Sequence, residues 1–197
     1  MRWDNLFDDL EGQLEHELNA EETDLRAEEE RLRVSRLSLR DRLTSLTEAQ
    51  GSGALLKVAL TGGATATIRP VTFGRDWLAG DLVGALSNSR QCVLPLAAIA
   101  GVLLAPGHVE QSLRALPVSP ARIVDRIGLP FVLRDLCRRR AALEIQTVDA
   151  MLHGTLDRVG RDHVDVAVHP AGTPRRGSAV TQLRLVPLMQ IQLVRLP

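Results

Sequence analysis

Hydrophobic positions follow two different rhythms along the chain. Residues 3–49 carry leucines at helical spacing: Leu18, Leu25, Leu32, Leu39 and Leu46 are seven apart, with Leu43 adding density near the end. This stretch holds no proline and one glycine, Gly12, and is rich in Glu, Leu, Arg and Ala, all good helix formers. A long helix over 1–50 is predicted. With the seven-spaced leucines on one seam position, the other seam position reads Glu15, Glu22, Glu29, Arg36 and Leu43. Charges at that position weaken a free two-stranded zipper. The helix therefore pairs with a partner through its denser C-terminal half, lies against the protein's own barrels, or stands alone in solvent.

The start of this helix has its own stripe. Trp3, Leu6, Phe7, Leu10 and Leu14 share one helical face, and Asp4, Asp8, Asp9, Glu11 and Glu15 occupy the rest. A short acidic helix with aromatic anchors suits docking into a groove; packing on the protein's own body would use the same stripe.

After Gln50–Gly53 the rhythm changes to alternation. Leu56, Val58 and Leu60 alternate with Lys57, Ala59 and Thr61, and Gly62-Gly63 reads as a hairpin turn. Ala66–Thr72 follows, then Phe73–Leu78, then a Gly- and Asn-containing loop, then a long apolar stretch at Val93–Leu104. The order recurs from Leu143, Ile145 and Thr147 onward. Two anchors set the register of the copies. Phe73-Gly74-Arg75-Asp76 matches Val159-Gly160-Arg161-Asp162, and Val93-Leu94-Pro95-Leu96 matches Leu185-Val186-Pro187-Leu188. The offsets are 86 and 92, so the second copy carries six extra residues, which fall in the polar loop His169–Ser178.

Each copy supplies about five short strands. The expected fold class is α+β: a long N-terminal helix followed by two small five-stranded antiparallel barrels, each preceded by a helix. The expected domains are 1–50 for the helix, 51–104 for the first barrel, 105–140 for a helical, Pro-containing linker and 141–197 for the second barrel. Gly74, Asp76, Gly160 and Asp162 are assigned to structural turns, the aspartates capping amides of their own turns. Pro95 and Pro187 lack an amide donor and belong at a strand edge or a bend.

The order of strands around a Gly-Arg-Asp turn resembles the Sm-like (Hfq-like) small barrel. That resemblance implies an SH3-like barrel with an RNA pocket beside the turn aspartate, here Asp76 or Asp162. The pocket's asparagine has no counterpart, since Trp77-Leu78 and His163-Val164 follow the aspartates. The chain also resembles a group of uncharacterised actinobacterial proteins that open on Met1-Arg2-Trp3-Asp4. The single lysine, Lys57, among many arginines fits a GC-rich bacterial source.

Composition adds a charge asymmetry. The formal net charge is zero, yet residues 1–30 hold twelve acidic residues and two arginines. The remaining twelve acids face twenty-two Lys and Arg. Arg138, Arg139, Arg140, Arg158, Arg161, Arg175, Arg176 and Arg184 gather in the second copy and its approach, candidates for contacts to nucleic-acid phosphates, with Trp77 as a base-stacking candidate.

No catalytic set is legible: His153, His163 and His169 accompany no nucleophile motif, and no phosphate loop is present. Cys92 and Cys137 lack ligand spacing for a metal, and no cofactor motif occurs. No targeting segment or spanning helix is evident, so a cytoplasmic location without membrane attachment is expected. The function expected is that of a non-enzymatic adaptor. Its helix would oligomerise or dock a protein partner, and its two small barrels would act as binding modules. The alternative is an RNA- or DNA-binding regulator using the basic second copy.

Overall fold

The computed structural model describes residues 3–84, 90–116, 120, 122–173 and 175–196. The chain divides into two compact units, Met1–Ser38 and Leu39–Pro197. The first is a single helix, α1 (Trp3–Ser35). Its described side chains between Glu11 and Leu32 are exposed, and Arg26–Glu22, Arg31–Glu28 and Arg33–Glu30 pair along its surface. The single predicted helix is thus divided: a second helix, α2 (Leu39–Gln50), begins the second unit. Leu43 and Leu46 of α2 are buried in the core beneath the sheet rather than in a coiled-coil seam.

In the second unit, β1 (Leu56–Leu60) and β2 (Thr65–Phe73) form a hairpin in which Gly63 takes φ +83°, a conformation glycine adopts freely. Then come β3 (Trp77–Leu82), β4 (Arg90–Pro95) and β5 (Ile99–Val102). Helix α3 (Pro106–Leu113) packs on α2, where Arg42 donates to Ser112 Oγ and Ser45 Oγ donates to the Arg114 carbonyl. Helix α4 (Leu129–Arg138) precedes β6 (Ala142–Thr147), β7 (Met151–Val159), β8 (His163–Val168), β9 (Gln182–Pro187) and β10 (Ile191–Arg195). Between α3 and α4 the linker expected to be helical forms a short 3-10 turn at Ile123–Arg126.

The two copies match strand for strand. Both carry a bulge at the same place, between Pro70 and Thr72 and between Leu156 and Arg158. The Gly74 amide donates to the Trp77 carbonyl, and the Gly160 amide to that of His163. The Leu96 amide donates to Asp76 O, and the Leu188 amide to Asp162 O. Pro95 and Pro187 each end a strand and open a 3-10 turn into the next.

The expectation of two separate barrels is overturned. All ten strands belong to one antiparallel sheet, in the order β5-β1-β2-β3-β4-β10-β6-β7-β8-β9, which does not close into a barrel. The physical reason is the pairing of β4 with β10, Val93 opposite Val194 and Cys92 opposite Arg195. This ladder gives the last strand of one repeat to the other repeat, so neither closes on itself.

Side chains alternate across this seam. Cys92 and Leu94 of β4 join Leu193 of β10 in one core, with Leu43, Leu46, Val58, Ile68 and Leu78. Val93 of β4 joins Val194 in the other, with Trp77, Leu129, Leu133, Ile145 and Val164. Both seam strands are buried on both faces, which explains their unbroken apolar runs. Gln192 is the buried polar residue of the seam: its amide donates to Thr61 Oγ1 in the first repeat and its oxygen accepts from Gln146 in the second. No helix among the described residues is long and apolar enough to cross a membrane.

Because each core contains residues of both repeats, the repeats are expected to unfold together. Leu193→Ala, placed in β10 but packed in the first core, should cost about 2–5 kcal/mol. In chemical denaturation both repeats should lose that stability in one transition; two separate transitions in the variant would contradict the shared core.

Candidate binding cleft

The Gly-Arg-Asp turns do different work from that expected. Gly74 lets the Trp77 indole lie over the backbone: a Cβ there would run into the ring. Asp76 does not cap its own turn. Its Oδ1 accepts from the Leu129 amide at 2.7 Å, so a side chain of the first repeat caps the N-terminus of α4. Trp77 Nε1 donates to the Ile127 carbonyl at 3.0 Å and the ring is buried. Trp77 is therefore not a base-stacking surface but a packing element between the repeats. In the second repeat Asp162 pairs with its neighbour His163 at 2.8 Å, and that interaction holds its carboxyl below the usual range. An arginine closes each turn from a helix, a device not read from the sequence: Arg40 donates to Gly74 O and Arg134 to Gly160 O.

Five of the eight candidate arginines converge. A cleft of about 680 Å³ lies between the end of α4 and strands β7, β8 and β9, and Arg138, Arg140, Arg158, Arg175 and Arg184 line it. Asp157 and Asp165 also line it, so guanidinium groups outnumber carboxylates five to two among its described lining. Arg158 comes from β7 and Arg184 from β9, while Arg138 and Arg140 come from the end of α4 and the turn after it and Arg175 from the loop between β8 and β9, so elements far apart in sequence supply the cluster. Leu183 and Leu185 of β9 form the exposed apolar rim.

Most of these arginines are held. Arg175 makes a two-pronged pair with Asp157, at 2.7 and 2.6 Å. Arg184 reaches Asp149 at 2.7 Å, and Asp149 in turn accepts from Thr147. Arg138 and Arg139 share Asp135. Arg158 sits 3.6 Å from Asp165 and is largely exposed. Arg140 takes φ +50°, uncommon for a residue with a side chain, and lies at the end of α4 where it adds its charge to the field on Asp157. Thr155 Oγ1 beneath the cleft is buried without a hydrogen-bond partner among the described residues.

The remaining candidates lie elsewhere. Arg139 is turned to Asp135, Arg176 is exposed outside the cleft, and Arg161 lines a separate shallow depression with Arg75, Phe131 and Arg134. The side chains of Trp3, Leu6, Phe7 and Leu10 lie outside the described residues, while Leu14 is exposed. Leu18, Leu25 and Leu32 of α1 are 49–66% exposed, and Leu39 opens α2. Both cysteines are free, and burial pushes the Cys92 thiol up to about 11. No group of three His, Cys, Asp or Glu that could hold a metal occurs among the described residues.

No family model matches the chain, and no curated protein or solved structure matches it.

The Arg175 pair sets a pH dependence. Its hydrogen bonds, and the charges of Arg175, Arg140 and Arg158, hold the Asp157 carboxyl below the ordinary range. A depressed folded value stabilises the fold above the unfolded value near pH ~3.9, and the gain disappears as pH falls through the folded value. Asp157→Asn should therefore lower stability by about 1 kcal/mol at neutral pH. The gap to wild type should close in strong acid; a gap independent of pH would contradict the pairing.

Proposed function

We propose that this chain is a non-enzymatic interaction protein in which α1 brings copies together while the sheet presents binding surfaces. The supporting observation is the stripe Leu18, Leu25 and Leu32, three leucines seven residues apart, all exposed on a helix of 33 residues. Single exposed leucines are ordinary; a row on one helical face gains from a second helix. The neighbouring Glu15, Glu22 and Glu29 weaken that pairing, which favours exchangeable association over a permanent zipper.

Light scattering on the full chain tests this reading. Replacing Leu18, Leu25 and Leu32 together with Glu should reduce the particle mass and leave the sheet unit's thermal unfolding unchanged. An identical mass for the variant and the parent would overturn helix pairing.

A second reading draws on the cleft. Its excess of guanidinium groups fits the phosphate backbone of RNA or DNA, with affinity falling as salt rises. Arg140 and Arg158 are the groups best placed to exchange partners, the others being held by short carboxylate pairs. Filter binding to single-stranded RNA and DNA over a salt series decides it. The double variant Arg140→Ala, Arg158→Ala should weaken binding and reduce the salt slope by about 1.4–1.8. No retention at low salt would remove this reading.

A further inference from the structure

The seam between the repeats leaves its two halves unmatched at the ends of the sheet. Within the first repeat the strand order is β5-β1-β2-β3-β4, and within the second it is β10-β6-β7-β8-β9. These are the same order, because β10 is the second repeat's counterpart of β5 and β9 is its counterpart of β4. The β4–β10 seam therefore joins the fourth strand of one repeat to the fifth strand of the other. At the two outer edges stand β5, an unused fifth strand, and β9, an unused fourth strand. We propose that chains assemble head to tail, β9 of one chain pairing antiparallel with β5 of the next, and so repeat between molecules the seam that each holds internally.

The repeat gives the register. In the internal seam Val93 stands opposite Val194, and Cys92 opposite Arg195. The 92-residue offset carries Val93 and Cys92 to Leu185 and Arg184, and Val194 and Arg195 to Val102 and Leu103. Between molecules Leu185 then faces Val102, and Arg184 faces Leu103.

Burial shows which surfaces lack their cover. Val93 is 4% exposed inside the seam, whereas its counterpart Leu185 is 63% exposed. Leu103, at the β5 end, is exposed as well. The turn beside the seam differs in the same way. Asp76 and Trp77 are engaged by the Leu129 amide and Ile127 carbonyl, at the start of the helix that precedes the second repeat, while the side chain of Asp162, the counterpart of Asp76, is 84% exposed. Edge strands usually carry charge, proline or a covering element. The β5 edge carries no such guard, and the β9 edge has one arginine and a proline at its end. Here β5 reads Ile-Ala-Gly-Val, and β9 exposes Leu183 and Leu185 around one arginine.

Such contacts join different patches on the two partners, so the assembly grows past a dimer until it closes or extends as a filament. This association is separate from helix pairing through α1, and the two are separable by substitution.

The test uses full-length chains. Chains carrying Val102→Cys are mixed with chains carrying Leu185→Cys and oxidised. A disulfide-linked pair of unlike chains is expected, about tenfold or more above the yield with Leu183→Cys, which is displaced by two residues from the register. Leu185→Arg, at a site exposed in the single chain, should retain the parent's circular dichroism and melting and shift the scattering mass to a smaller species. Chains in which Leu18, Leu25 and Leu32 are all replaced by Glu should still cross-link when Val102→Cys is added to one set and Leu185→Cys to the other. Equal yields for the matched and displaced pairs would overturn the proposed register. An unchanged mass for Leu185→Arg, or a wild-type chain that runs as a monomer at tens of micromolar, would overturn the assembly, whatever the outcome for the helix.

Discussion

The fold depends on one ladder. β4 and β10 come from different repeats and lie far apart in sequence, yet they stand side by side at the centre of the sheet. Their pairing commits one backbone edge of each repeat to the other repeat. It also forces successive residues of both strands into two different cores. Val93 is buried in the core of the second repeat and Leu193 in that of the first, so each depends on the other repeat for its cover. Buried apolar side chains of this size contribute roughly 1.5–3 kcal/mol each. The seam thus couples the repeats more tightly than a linker between two independent barrels would.

The ladder also makes the repeats unequal. The first repeat turns Trp77, Val93 and Asp76 toward the second, where they meet α4 and the strands behind it. The second repeat has no such neighbour in the same chain. At the equivalent positions it carries His163, Leu185 and Asp162, and the space beside β9 opens into the arginine-lined cleft. One surface, built twice from similar sequence, is a packing face in one copy and a solvent face in the other. The proposed binding surfaces therefore lie on the second repeat and on α1, with β5 as the one contribution of the first repeat.

Much of this is legible in the chain. The strands, the hairpin at Gly62-Gly63, the repeat and its six-residue loop insertion follow from alternation, turn residues and matched anchors, all local signals. The clustering of arginines is also readable, and five of them share one cleft. The seam is not. Nothing local tells β4 whether to pair within its own repeat or with β10, since that choice rests on the complementarity of distant edges. The apolar run at Val93–Leu96 is its one trace, a mark of burial on both faces. Trp77 misleads for the same reason: an aromatic beside a turn gives no sign of the helix that covers it. The break between α1 and α2 falls at Arg36–Ser38, with neither Gly nor Pro to mark it, while the leucine spacing runs on across it. A heptad and an amphipathic packing stripe place leucines alike, so only burial separates Leu32 from Leu43 and Leu46.

Native-state hydrogen exchange tests the coupling of the repeats most directly. The account predicts that the central amides of β1–β3, of the seam strands and of β6–β8 exchange through one opening with the same free energy. Exchange of β6–β8 at a free energy about 2 kcal/mol or more below that of β1–β3 would show two repeats opening independently, and would contradict it.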